Sequence, residues 1–233
     1  MLLTPGYDAI VRVGIACLAL AMALIWLGVF ARGRYRPVVY ALAGGWLYGG
    51  YSLGVTGVLT RFDRVPPPMA VMMAATIIVG LVMGFSPMGR RMARDLPMAA
   101  LVGLQIFRLP LELLMHRAAA KGIAPVELTY AGYNFDIVTG IAALVLTVAL
   151  AAGAYVPRAA LWLWNLYGIG CLIVIAVIAV ATSPMVRAFG DDPRHLNTWV
   201  LYFPYTWLPT VLVAIAISGH IVVTRKLMVH SVH

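Results

Sequence analysis

The chain has 233 residues, of which 63% are hydrophobic and 11% charged, whereas a soluble domain carries about 45–50% and about 25%. That composition excludes an ordinary water-soluble globule and leaves no stretch for a folded extramembrane domain of the usual ~50 residues or more. The formal net charge is +9, but the basic residues sit at the ends of hydrophobic runs rather than on one water-facing surface, which argues against nucleic-acid binding.

Apolar runs of about 20 residues, the length that crosses a hydrocarbon core of ~30 Å, place seven helices at about 9–30, 37–59, 67–86, 97–116, 134–155, 159–182 and 198–224. The expected fold is an all-α integral membrane bundle, a single transmembrane domain over residues 1–233. The first run follows Asp8 and contains Arg12, so it lacks the positive excess of a signal peptide and is long enough to span. Gly14-Ile15-Ala16-Cys17 is a poor lipoprotein-cleavage lookalike, since its first position wants a larger aliphatic residue. Cys17 and Cys171 lie inside apolar runs, where neither a disulfide framework nor a four-cysteine zinc site is expected.

The runs end where a helix in hydrocarbon should end. Arg32, Arg34, Arg36 and Pro37 close the first gap, Pro66-Pro67-Pro68 the second and Arg90 to Asp95 the third. Lys121-Gly122, Val156-Pro157-Arg158 and Gly190-Asp191-Asp192-Pro193 mark the rest. Proline lacks the amide proton of a helix interior, and charge is expensive among acyl chains. Loops one, three and five with the C-terminal tail hold nine basic residues, against seven on the other side. The positive-inside rule therefore places the N-terminus outside and the C-terminus in the cytoplasm of the plasma (inner) membrane.

A weak internal echo links Tyr35-Arg-Pro and Trp46-Leu-Tyr-Gly-Gly with Tyr155-Val-Pro and Asn165-Leu-Tyr-Gly, at an offset near 119. It is compatible with a 3+1+3 parallel repeat, as in transporters that rock two halves about a central site. Chance recurrence of a common helix-end tripeptide is the alternative.

The fourth run is the most informative. Gln105, Arg108, Glu112 and His116 recur at three and four residues, forming one polar stripe on a helix of Leu, Ile, Phe and Met. An intramembrane Arg costs about 2.5–3.5 kcal/mol on insertion scales, so the stripe should face the interior with Arg108 partnered, Glu112 being the nearest candidate. Pro110 frees the carbonyl of Ile106 and predicts a kink. One reading is an outward-facing site where Arg108 binds an anionic or polar group and Glu112 or His116 exchanges a proton. The other is a buried pair that only fixes packing.

Asn134 and Asp136 begin the fifth run on the same side, either completing that site or serving as helix cap and first-turn acid. The seventh run opens with Tyr202, Phe203, Pro204, Tyr205, Trp207 and Pro209. Aromatics there suit an interfacial belt, while Tyr202 and Tyr205 are candidates for a cavity wall.

His116 is expected near the outer face and His220 near the inner end of the seventh run, so they are not expected to share a haem. His195 with Asp191 and Asp192 fits a solvated turn better than a metal site, and His230 and His233 a tail. The only lysines, Lys121 and Lys226, are at loop positions, so no retinal Schiff base is expected.

The stretch from about 104 to 226 resembles an uncharacterised group of bacterial multi-pass membrane proteins. The shared features are Phe107-Arg-Leu-Pro-Leu-Glu112, Asn134-Phe-Asp-Ile-Val-Thr-Gly140, Leu201-Tyr-Phe-Pro-Tyr-Thr-Trp-Leu-Pro209 and His220 to Arg225. The resemblance implies no activity. Topology and length are also similar to the SWEET sugar transporters, but the Pro-Gln signature of that superfamily is missing from helices one and five.

The expectation is a membrane protein whose polar cavity, lined by Gln105, Arg108, Glu112, His116, Asn134, Asp136, Tyr202 and Tyr205, binds or moves a small polar solute or protons. Its partners are the lipid bilayer and a small polar or anionic solute, with no nucleic acid, no cofactor and no metal. The alternatives are an intramembrane enzyme acting on a lipid-linked substrate with Glu112 or Asp136 as general base, and a helper or sensor subunit.

Overall fold

Asp8 starts the first helix: its carboxylate accepts from the Val11 amide at 3.0 Å, satisfying one of the donors a helix N-terminus leaves open. The computed structural model describes residues 6–31 and 33–229. Arg32, His230, His233 and the side chain of Arg34, named above, lie outside them.

Helix α1 (Ala9–Phe30) turns Val11, Ile15, Ala19, Met22 and Trp26, spaced at three and four, toward the bundle. Its other face exposes Ile10, Val13, Leu20, Leu24 and Ile25. A helix apolar on every side is not one that faces water. The remaining helices are α2 (Arg36–Val55), α3 (Pro68–Phe85), α4 (Pro87–Asp95), α5 (Met98–Gly103), α6 (Arg108–Ala120), α7 (Asp136–Ala151), α8 (Arg158–Ala181) and α9 (Ala214–Val229). No strand occurs among the described residues.

Five segments are long and apolar enough to cross a membrane: α1, α3, Met98–Ala120, α8 and Leu208–Val229. They suggest a membrane protein. The other two expected runs form helices that fall short of that standard. Helix α2 is 20 residues long but dilutes its apolar residues with glycines and tyrosines. Helix α7 has 16 residues, or about 24 Å at the α-helical rise.

Three segments depart from the sequence reading. Residues 87–95, expected as a loop, form α4, because Ser86 caps the Gly89 amide at 3.0 Å and Pro87 takes a first-turn position that needs no N–H. The run at 97–116 is two helices. Between them, Gln105, Ile106, Arg108 and Leu109 bond three residues back, to Val102, Gly103, Gln105 and Ile106. The Ile106 carbonyl that Pro110 cannot bond is thus taken by Leu109 at 3.0 Å.

The third departure is at 198–224. Residues 198–207 carry only a single 3-10 turn, a π-helix runs over Leu208–Val213 where Pro209 brings no donor, and α9 continues to Val229. Lys226, expected in a loop, lies in α9 and donates to the Ala93 carbonyl at 3.0 Å.

Helix α9 is the hub, packed by α3, α8, α4 and α5. The buried residues of α3 are Met72, Thr76, Gly80 and Gly84, one every four residues, and the two glycines meet α9. A Cβ on Gly80 would stand 2.9 Å from Ile217 Cβ, and one on Gly84 2.7 Å from Ile221 Cβ. Small residues at this spacing let two helix backbones approach closely. Arg225 then closes the end of α3, donating to the Gly84 and Ser86 carbonyls at 2.7 and 3.1 Å. Helix α2 is tied to the π-helix region by two indoles, Trp46 donating to Thr210 O at 2.7 Å and Trp207 to Leu47 O at 3.1 Å.

Candidate functional site

The turn at 104–107 detaches Gln105 from α6, and α6 then presents Arg108 and Glu112 on one face. All three are at most 1% exposed. Across from them the first turn of α7 supplies Asp136 and the residue two before it, Asn134. Arg108 Nη1 donates to Asp136 Oδ1 at 2.8 Å and to the Gly168 carbonyl of α8 at 3.4 Å. Asn134 Nδ2 donates to Glu112 Oε1 at 2.8 Å and to Leu128 O at 3.1 Å, while its Oδ1 accepts from the Asp136 amide at 3.3 Å. Asn134 thus belongs to the cluster and takes the Asp136 amide in a local turn just ahead of α7, whose N-cap position is Phe135 and carries no side-chain cap.

The partner of Arg108 is a correction. Sequence spacing nominated Glu112, one turn along the same helix, but no ion pair joins them. An i,i+4 pair contributes only about 0.2–0.5 kcal/mol, and both carboxylates are buried. Asp136, carried in on a second helix, meets the guanidinium end-on. Gly140 permits that approach, since a Cβ there would collide with the Leu109 backbone.

Gly168 links this group to a second one. A Cβ at Gly168 would strike the ring of His220 and the methyl of Thr139. His220, 1% exposed, bonds through Nδ1 to Asn165 Oδ1 at 2.9 Å, and Asn165 Nδ2 donates to Thr224 Oγ1 at 2.8 Å. Trp164 stacks obliquely on His220, ring centres 5.5 Å apart, and donates to Thr139 O at 3.1 Å. The amide of Gln105 lies against Gly219, whose neighbour is His220.

Sequence reasoning set His220 near the end of a straight run finishing at 224. Because regular helix starts only at 208 and ends at 229, His220 is brought level with Arg108. The signal available was the pair of polar residues Asn165 and His220, each inside an otherwise apolar run.

Three sequence candidates do not join the cluster. His116, half-buried, stacks on Tyr130 with ring centres 4.5 Å apart; after Glu112 the helical repeat has carried it round the side of α6. Tyr202 packs on the small satellite core of Leu59, Met72 and Leu201. Tyr205 is buried against Trp199 at 5.0 Å in the main core. In loop six His195 meets Glu127 at 2.5 Å, while Asp192 pairs with Arg194 and Asp191 with Arg187. Among the described residues no group of three or more His, Cys, Asp or Glu side chains converges as for a metal ion.

Nor do the cluster residues line an open cavity. A hollow of about 250 Å³ is bounded by Ala119, Gly122, Ala124, Val126, Arg194 and His195. An apolar groove of about 600 Å³ lies between α1 and the other face of α6, along Pro110, Leu113, Leu114 and Arg117. Neither of these two hollows reaches Arg108, and Gln105, Arg108, Glu112 and Asn134 are themselves enclosed, each at most 1% exposed. That core is under-satisfied: both amide atoms of Gln105, Arg108 Nη2, Glu112 Oε2, Thr139 Oγ1 and His220 Nε2 have no partner. Buried polar atoms without partners are rare and call for an explanation in structure or in function.

A family model described as a domain of unknown function, DUF8737, matches residues 66–228. That is well over half of the chain. The chain belongs to the DUF8737 family. The matched region contains every residue of the enclosed core and the whole stretch whose resemblance to an uncharacterised group was noted from sequence. The chain matches no curated protein and no solved structure.

The charge balance of the core sets its chemistry. It contains one fixed cation, Arg108, and two carboxylates, Asp136 and Glu112. Arg108 is committed to Asp136. A second bare carboxylate in this enclosure would be an uncompensated buried charge, which is costly. A proton on Glu112 restores neutrality, and Oε2 is the oxygen free to carry it.

Proposed function

We propose that this DUF8737 protein crosses the plasma (inner) membrane seven times, N-terminus outside and C-terminus in the cytoplasm, and that its polar core takes up and releases protons at Glu112. The five long apolar helices support the membrane placement, with α2 and α7 as the two remaining crossings. The nine-to-seven basic bias supports the orientation. Ionisable residues inside a membrane segment are by default functional, and chains of Asp, Glu and His are how pumps and transporters relay protons.

The observation that carries the reading is the excess carboxylate: two buried acids share one buried cation, and Glu112 Oε2 is unpartnered. The same count disfavours an anionic solute, because the Arg108 charge is already matched by Asp136. A lipid-modifying enzyme is disfavoured too, since the groove on α6 lies opposite Glu112 and is lined by no carboxylate.

The test is proton flux into liposomes carrying the purified protein, read by an entrapped pH dye under an imposed gradient. Wild type should dissipate the gradient faster than empty liposomes, and Glu112→Gln should not. The enclosure of the core supports a second reading, a helper subunit whose polar residues only pack. Wild-type flux equal to that of empty liposomes, with the protein monodisperse, would establish that reading instead.

A further inference from the structure

The tautomer of the neutral His220 ring can be read from a carbonyl. Thr224 Oγ1 donates its only hydrogen to the backbone carbonyl of His220 at 2.9 Å, and a carbonyl can only accept. The same hydroxyl oxygen must therefore accept from Asn165, which orients the Asn165 amide with Nδ2 toward Thr224 at 2.8 Å. Its oxygen is left facing His220 Nδ1 at 2.9 Å. An amide oxygen accepts, so Nδ1 carries a hydrogen, and in the neutral ring Nε2 is bare. That bare nitrogen is buried, unpartnered and set against Gly168, the residue whose carbonyl takes Arg108.

We propose that His220 Nε2 is the second proton-binding atom of the core, exchanging one proton with Glu112 Oε2. This rests on the reading of Glu112 as a proton carrier and adds the group that receives what Glu112 releases. The step balances. The O–H bond of the Glu112 acid breaks and an N–H bond forms at Nε2, leaving a carboxylate and an imidazolium. Before it the core holds Arg108 and Asp136 as its charged pair; after it there are two cations and two anions. The core is neutral in both states, so Glu112 can give up its proton without leaving a net charge in the enclosure.

The Arg108 charge acts on both Glu112 and His220, its Nη2 is unpartnered, and the Gln105 amide, likewise unpartnered, rests against Gly219 beside His220. The Arg108 field opposes a second cation on the ring, and Asp136, paired with Arg108 at 2.8 Å, supplies the charge that offsets it. Helices α3 and α5 bring no ionisable side chain to α9. Helix α8 brings Tyr167 and Cys171 beside Thr139 and Asp136, with Arg158 at the far end on Leu227 O. The charges of α4 lie by Arg225 and Lys226.

The experiment combines the liposome flux assay with nitrogen-15 NMR of the full-length, histidine-labelled protein. The His220 signal, identified by its loss in His220→Gln, should show a hydrogen on Nδ1 and a bare Nε2. Thr224→Val, which removes the acceptor that orients Asn165, should give a mixture of both tautomers and slower flux. His220→Gln should fall to the flux of Glu112→Gln while remaining monodisperse. A hydrogen on Nε2 in the wild type, or a Thr224→Val protein with unchanged tautomer and flux, would overturn the proposal. So would a His220→Gln protein that conducts like wild type while Glu112→Gln does not, an outcome that leaves the Glu112 reading intact. Absence of flux in the wild type removes both.

Discussion

Arg108 pairs with Asp136 at 2.8 Å across 28 residues of chain, and Glu112, four residues along its own helix, is left to an amide. This exchange of partners gives one carboxylate the buried cation and leaves the other a single amide donor. It also decides which substitutions should be severe.

Removing either member of a buried ion pair strands the other, at a cost of about 3–5 kcal/mol, whereas replacing both with apolar groups is often nearly neutral. Arg108→Met and Asp136→Leu should each lower the unfolding free energy in detergent by about that amount. The double variant should be more stable than either single one. Additive losses would show that the pair is not the interaction that matters at this site.

A second long-range pair sits at the start of α1. Arg117 donates to both carboxylate oxygens of Asp8, at 3.1 and 2.9 Å, tying the start of α1 to α6. Those bonds, then the Val11 amide, lower the Asp8 carboxyl from its usual 3.8 to about 2. A depressed folded value means stability that is present above the unfolded value and lost as the acid protonates. The melting temperature should therefore fall as pH drops from about 4 to about 2. Asp8→Asn, which keeps a capping oxygen but no charge, should start lower and fall less over that window. The step is modest, because the Arg117 side chain is 42% exposed and the pair is screened, so equal slopes in the two proteins would refute it.

Much of this was legible in the sequence because it depends on local pattern. Apolar run length placed α1, α3 and α8 within one or two residues, and cost in hydrocarbon singled out Gln105, Arg108, Glu112, Asn134 and Asp136, which the fold does gather. What failed depends on contacts distant in sequence or on backbone exchange. The pairing of Arg108 with Asp136 is a relation between two helices, which periodicity along one helix cannot express. His220 was misplaced because Pro204 and Pro209 delay regular helix to residue 208 and so shift the whole register. Helix α4 was masked by its charges, since three arginines and an aspartate read as a loop until Ser86 and Pro87 are recognised as a helix start.

The orientation can be decided by chemistry at two loops. Asp191 and Arg94 are both exposed, and the segments Met98–Ala120, α7 and α8 lie between them. If all three cross, the two residues are on opposite sides, and the basic bias puts Arg94 in the cytoplasm. In a background with Cys17→Ala and Cys171→Ala, Asp191→Cys should react with a membrane-impermeant maleimide on intact cells. Arg94→Cys should react only after permeabilisation. The reverse pattern would invert the bundle. Labelling of both from outside would mean an even number of crossings between them, removing α7, the shortest of the three, as a span.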